Sequence, residues 1–297
     1  MNKTSLRFRI TDIFYVVMMI LPIVCGIVLQ VLTKPASEGI SITGARIYFT
    51  IPMPLQDFPV TESQVNSVIV LVVLFFFCRF ITHGLSEKAE LKRQHFAEMA
   101  VEKVTDLFEE NMGEYFMGFV PFIIAILALS ALSSLLTLFG LFPPTSDINI
   151  VGGWAVLVFV LITYYKMKCG PINYLKSFTQ PVALLTPINL ISEVATPVSM
   201  AFRHYGNVLS GTVIAVLLGS ALAGLSSMIL GKLPGFLADI PLLQIGIPAV
   251  MSLYFDLFSG CLQAFIFAML TMMYVAGAFD IETYKSKKAR KSAKNKN

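Results

Sequence analysis

The sequence predicts an all-α membrane protein with about six membrane-embedded helices, the last two a long tilted hairpin, plus an inner-surface amphipathic helix. Three observations carry that reading. Hydrophobic residues make up 56% of the 297 residues and charged ones 13%. The mean hydropathy of +0.75 is far above that of a soluble globular domain. Apolar runs recur at about residues 13–32, 65–82, 115–142, 150–165, 181–231 and 236–279, against the roughly 20 residues a helix needs to cross the hydrocarbon. Lys and Arg are sorted between the connections. With both termini inside, 17 of the 22 fall in residues 1–12, 83–112, 165–180 and 280–297, and 3 fall in residues 34–64, 143–149 and 231–240. That is the bias of cytoplasmic over external segments. The two left over are Arg79, near an inner helix end where it can snorkel, and Arg203.

The first run, Ile13 to Leu32, follows Arg7 and Arg9 as a signal peptide would. Its apolar core is longer than a signal core and no A-x-A site follows, and Val24 stands where a small residue would precede a lipidated Cys25, so a true span is expected. Residues 1–64 form this extra helix and an outer loop. In the loop, Ile47, Phe49 and Ile51 alternate with polar residues before Pro52 and Pro54, the pattern of a short hairpin or extended cap. Residues 65–279 form the membrane core. Within it, Ser86 to Asn111 place Phe96, Met99, Ala100, Val104 and Leu107 at helical spacing among charges, an amphipathic helix for the inner face. The last two runs are longer than an upright helix needs, so each is expected to be strongly tilted or broken, with Gly231 to Pro241 joining them. Residues 280–297 are a basic cytoplasmic tail.

The net charge of +4 comes from short loops and from the tail Lys285 to Lys296, a topology signal rather than a nucleic-acid surface. Cys25, Cys78, Cys169 and Cys261 show no CxxC spacing and read as reduced packing residues. No GxxxxGK[ST] loop is present, so the chain is not expected to bind or hydrolyse ATP itself. His83, His95 and His204 are dispersed and no HExxH or GxSxG occurs, which argues against an intramembrane enzyme. No metal or other cofactor is implied.

Arg203 sits deep inside the run 181–231. A guanidinium at bilayer depth costs about 2.5 to 3.5 kcal/mol on insertion scales, so it faces a protein interior or a watery cavity. It stays charged, its pKa lying above about 12. At about 100° per residue, Ser192, Thr196, Ser199, Asn207 and Ser210 fall within about 40° of Arg203 and Gly206 within about 60°. Small residues alone would fit ordinary helix packing; an arginine centred on the stripe favours an ion path. Pro197 is expected to break the helix locally. Glu193, about 80° away near the inner end, is either an interfacial solvated carboxylate or part of that path.

The last helix has its own stripe of Ser252, Asp256, Ser259, Gly260 and Gln263 at spacings of three and four. Asp256 is deep enough to be desolvated, and a buried carboxylate of raised proton affinity can relay protons; the alternative is an ion pair with Arg203. Gln263 is closer to the midplane and the better neighbour for Arg203.

Arg203-His204-Tyr205-Gly206-Asn207 resembles the arginine motif of subunit a of the F-type ATP synthase, and Gln263-Ala264-Phe265-Ile266-Phe267-Ala268-Met269-Leu270-Thr271 resembles that family's last-helix signature. Pro144-Thr145-Ser146-Asp147-Ile148-Asn149 is similar to its Pro-Thr-x-Asp-x-Asn turn, Asn111-Met112-Gly113 to the end of its surface helix, and Pro187 to Glu193 also fits. The resemblance covers about residues 60 to 279; residues 1 to 40 look like a helix many members lack. Three positions depart from the pattern. His204 holds a place usually apolar and is expected to be peripheral. Thr212 replaces a glutamate common nine residues after the arginine. Asp256 stands where others carry histidine or another polar residue, as though the relay acid had moved between helices.

The resemblance implies a non-catalytic stator subunit of the synthase's membrane sector in a bacterial plasma membrane. Two aqueous half-channels would pass protons, or sodium, to and from carboxylates of the c-ring rotor subunits. The other partners implied are peripheral-stalk b subunits and lipid, with no nucleic acid. Arg203 would be the gate, Asn207 and Gln263 its flanking hydrogen-bond partners, Asp256 and Asp147 the outer path, and Glu193 the inner. A stand-alone transporter binding an anion at Arg203 is the competing class, but no internal repeat of the kind such proteins show is present.

Overall fold

The computed structural model describes residues 3–33, 44–54, 56–85, 92–179, 182–230, 250–251, 253–280 and 284. The order is α1 (Lys3–Thr33), β1 (Ile47–Ile51), β2 (Phe58–Thr61), α2 (Glu62–Thr82), α3 (Lys92–Met112), α4 (Val120–Leu135), α5 (Ile148–Cys169), α6 (Pro171–Phe178), α7 (Thr186–Leu230) and α8 (Gly260–Gly277). Among the described residues, six helical stretches are long and apolar enough to cross a membrane: those of α1, α2, α4, α5 and α7, and α8 with the turns before it. The segment joining α7 to the last helix and nearly all of the basic tail lie outside the described residues, as does Ser252.

The loop between α1 and α2 forms the expected hairpin: β1 and β2 pair antiparallel, with Ile51 opposite Phe58. It leads into α2, where the Thr61 N–H donates to Gln64 Oε1 at 3.2 Å, as an entering helix requires. Helix α3 tucks Phe108 and Met112 into the core and leaves Phe96 and Met99 exposed, an apolar surface suited to lying on a bilayer. Gly113 then takes φ 76° and ends the helix, a conformation that costs a residue with a Cβ dearly. Gly140, also at φ 76°, closes the turn after α4, and its carbonyl accepts from Gln30 Nε2 of α1 at 3.0 Å.

The core lies between α3, α4, α5 and α8, with Phe108, Ile123, Val158, Phe267 and Met272 almost wholly buried. Gly260 permits the close approach of α8 to α4: a Cβ there would lie 2.7 Å from Ser134 Cβ. The 45 residues of α7 span about 67 Å at 1.5 Å per residue, more than twice the roughly 30 Å hydrocarbon, so the helix must run strongly oblique to the membrane normal. It continues through Pro197, where a break was expected. The missing N–H leaves the Glu193 carbonyl without its usual donor, a loss this chain tolerates inside the helix.

Candidate functional site

The site is built on the face of α7 that carries Arg203. This guanidinium is exposed, and among the described residues nothing forms a hydrogen bond or ion pair with it. Three of the hydroxyls flanking it are satisfied by their own helix: Ser192 Oγ donates to the Ile188 carbonyl (2.9 Å), Thr196 Oγ1 to Ser192 (3.1 Å) and Ser210 Oγ to Asn207 (3.1 Å); the exposed Ser199 hydroxyl makes no hydrogen bond among the described residues. One turn outward, Asn207 Nδ2 donates to Gln263 Oε1 at 2.7 Å. Asn207 and Gln263 were expected to bond Arg203; they bond each other, and so tie α7 to α8 beside it. Gln263 is 2% exposed, so this bond also satisfies a buried amide.

The N-terminal part of the last helix differs from the regular stripe read in the sequence. Residues Leu253–Ser259 form a π-helical turn, which accommodates about one extra residue per turn and alters the phase of everything before Gly260. Asp256 is half-buried on this turn. Its neighbour Phe255 presses on α7 at Gly211, where a Cβ would come 3.1 Å from Phe255 Cβ, so the segments carrying Asp256 and Thr212 touch at this level. Asp147 caps α5: its Oδ1 accepts from the Asn149 N–H at 3.0 Å, and its Oδ2 accepts a short bond from Ser63 Oγ.

At the N-terminal end of α7, Lys166 Nζ donates to both oxygens of Glu193 at 2.7 Å, and Tyr174 O–H reaches Glu193 Oε1 at 3.4 Å. Burial, and then the Glu193 charge, raise the proton affinity of the Tyr174 phenol. Lys166, Glu193 and Thr196 line a cavity of about 280 Å³ with Met273 and Tyr274. Thr196 belongs to the Arg203 stripe, so this cavity borders the N-terminal half of that face.

His204 corrects the sequence reading. It points away from Arg203, as helical geometry demands, but into the bundle rather than to its periphery, and is 0% exposed. Ser130, Ser133 and Ser134 of α4 and Thr145 are also buried, and Glu62, Ser63 and Asn66 are buried at the start of α2. Apart from Thr145, which belongs to the turn motif before α5, none of these had been singled out. The run Ser130-Ala131-Leu132-Ser133-Ser134 inside an apolar span was the signal available.

The profile of the family described as ATP synthase A chain matches residues 64–276. A relative from Propionigenium modestum, "ATP synthase subunit a, sodium ion specific", is 28% identical over 275 residues, covering 82% of this chain and 88% of its own. One from Desulforamulus reducens, "ATP synthase subunit a", is 40% identical over 143 residues, 46% of this chain and 49% of its own. One from Crocosphaera subtropica, "ATP synthase subunit a 1", is 29% identical over 225 residues, 75% and 88%. The family match begins after α1 and the hairpin.

Proposed function

This chain belongs to the ATP synthase A chain family, the non-catalytic, multi-pass, ion-translocating membrane subunit of that complex, and we propose that it forms two half-channels serving the carboxylates of a c-ring rotor. The observation that carries this reading is Arg203: a permanent charge midway along a membrane-spanning helix, exposed and without a partner among the described residues of its own chain. Such a charge is too costly to leave facing lipid, so a neighbouring chain must supply the opposite charge or the water. A rotor carboxylate, neutral while it faces lipid, loses its ion on meeting Arg203. The fixed charge also blocks direct leakage between the two paths. Ion flow down a potential then turns the ring, at about 2.3 kcal/mol per charge per 100 mV.

In this reading Asn207 and Gln263 hold the α7 face beside the gate. Asp256, with Asp147 nearer the surface, serves the outer path, and Glu193 with the polar cavity beside it serves the inner. The complex sits in a bacterial plasma membrane with both termini of this chain cytoplasmic, beside peripheral-stalk b subunits. The transported ion is a proton, with sodium as the alternative. Cysteine cross-linking tests the assignment. Single cysteines at Ser199 and Ser210, on the Arg203 face, should cross-link to a small hairpin subunit of the purified complex, while one at Val198, about 140° from Arg203, should not. Cross-linking from Val198 but not from the stripe would sink the proposal.

A further inference from the structure

Three helices converge on a buried side chain of α7 that the gate as described does not use. Nε2 of His204 lies 3.3 Å from Ser130 Oγ on α4. Its ring meets Trp154 of α5 (centroids 6.1 Å, 81°) and Phe267 of α8 (5.6 Å, 87°) edge to face, a directional arrangement. Nδ1 is buried with no hydrogen-bond partner. With the proton on Nε2, donated to Ser130 Oγ, only a lone pair is left unsatisfied, which costs less than an orphaned N–H.

Arg203 is the next residue, about 100° round the helix. Near the gate, α7 buries Pro197, Met200, Ala201, His204 and Gly211. Apolar burial is non-directional and lets a helix turn about its axis; a hydrogen bond to a fixed hydroxyl resists that. Turning α7 by about 20° would move a group about 6 Å from its axis by about 2 Å, and misplacements of about 1 Å can cost about a hundredfold in rate. We propose that His204 is a positioning residue for the Arg203 gate: its Nε2 bond to Ser130 sets the rotation of α7, and so the direction in which Arg203 meets its partner. This rests on the gate reading of Arg203.

The experiment measures ATP-driven ion pumping per assembled complex in inverted membrane vesicles, across pH. His204→Gln carries an amide that reaches the Nε2 position, His204→Asn one that reaches only that of Nδ1, and His204→Leu neither. Pumping should stay within about twofold of wild type in His204→Gln and fall about tenfold in His204→Asn, His204→Leu and Ser130→Ala. His204→Leu combined with Ser130→Ala should be no worse than either alone, and His204→Gln should keep the wild-type pH profile. Equal failure of Gln and Asn would assign the effect to the ring itself. A shifted pH profile in His204→Gln would make the histidine a proton carrier. Either result overturns the proposal, as does wild-type pumping in His204→Leu. Arg203→Ala is the control: if it still pumps, the gate reading has failed, whereas if it is dead and His204→Leu is normal, only the positioning role is lost.

Discussion

Removing the Arg203 guanidinium should leave the fold of this chain intact and stop ion pumping. Because the side chain is exposed and bonds to no described residue of its own chain, Arg203→Ala belongs with surface substitutions, within about 0.5 kcal/mol of wild-type stability. The effect falls on the partner. Two unit charges 4 Å apart at an effective dielectric of 20 attract by about 4 kcal/mol, about a thousandfold in favour of the ionised carboxylate. On the proposed reading, without that term the rotor carboxylate keeps its ion on passing this chain, and ATP hydrolysis is no longer coupled to transport. Arg203→Lys keeps the charge but not the planar fork, so pumping should still be cut about tenfold or more, one lost charge-assisted bond being worth about 1.5 to 3 kcal/mol. The assay is pumping in inverted vesicles, normalised to the amount of this chain in the purified complex. Wild-type pumping in either variant would refute the reasoning, and so would loss of Arg203→Ala from the complex, which would make the arginine structural.

Asp256→Asn should slow pumping strongly with assembly intact, since an amide cannot gain and lose a proton at neutral pH; because Phe255 presses on Gly211, adding Thr212→Glu should restore part of the rate, and wild-type pumping in the single variant would remove Asp256 from the outer path. Gly260→Ala places a methyl 2.7 Å from Ser134 Cβ and should destabilise the assembled protein by about 1–3 kcal/mol, read as a lower thermal midpoint, while Gly224→Ala, with open space around it, should not. In a background without native thiols, cysteines at Glu102 and Asp280 should share one labelling pattern with a membrane-impermeant reagent and one at Thr50 should show the opposite; agreement of all three would overturn the topology.

The helices were legible because hydropathy over about 20 residues depends on composition, which the chain carries openly. The hairpin was legible from the alternation around Phe49, and α3 from its charges at helical spacing. What tertiary contact decides was not legible. Pro197 was expected to break α7, but in a membrane the neighbouring helices and hydroxyls support an interrupted ladder. The π turn at Leu253–Ser259 shifts phase without any residue type announcing it. His204 was read as peripheral because only its angle from Arg203 could be computed; that angle was right, and what lay in that direction, Ser130, Trp154 and Phe267, depends on three other helices. Lys166 and Glu193 are 27 residues apart, so their pairing appears only once α5 and α7 are packed.

The flanks of Arg203 bear on how such a surface can work against a moving partner. A hydroxyl that donates to a carbonyl of its own helix has no proton left to donate across an interface, and Ser192, Thr196 and Ser210 are all held in that way. Asn207 gives one N–H to Gln263. Among the described residues of this stripe, the five donors of the guanidinium are then left facing outward with the exposed Ser199 hydroxyl and the second Asn207 N–H as the remaining ones. A neutral carboxylic acid finds few strong hydrogen-bond donors along this face until it reaches Arg203, where its ionised form is favoured and its neutral form is not. On the proposed reading, replacing any of these self-bonded hydroxyls with a lysine would create a second point of arrest, and the ring would be held where that reading has it slide.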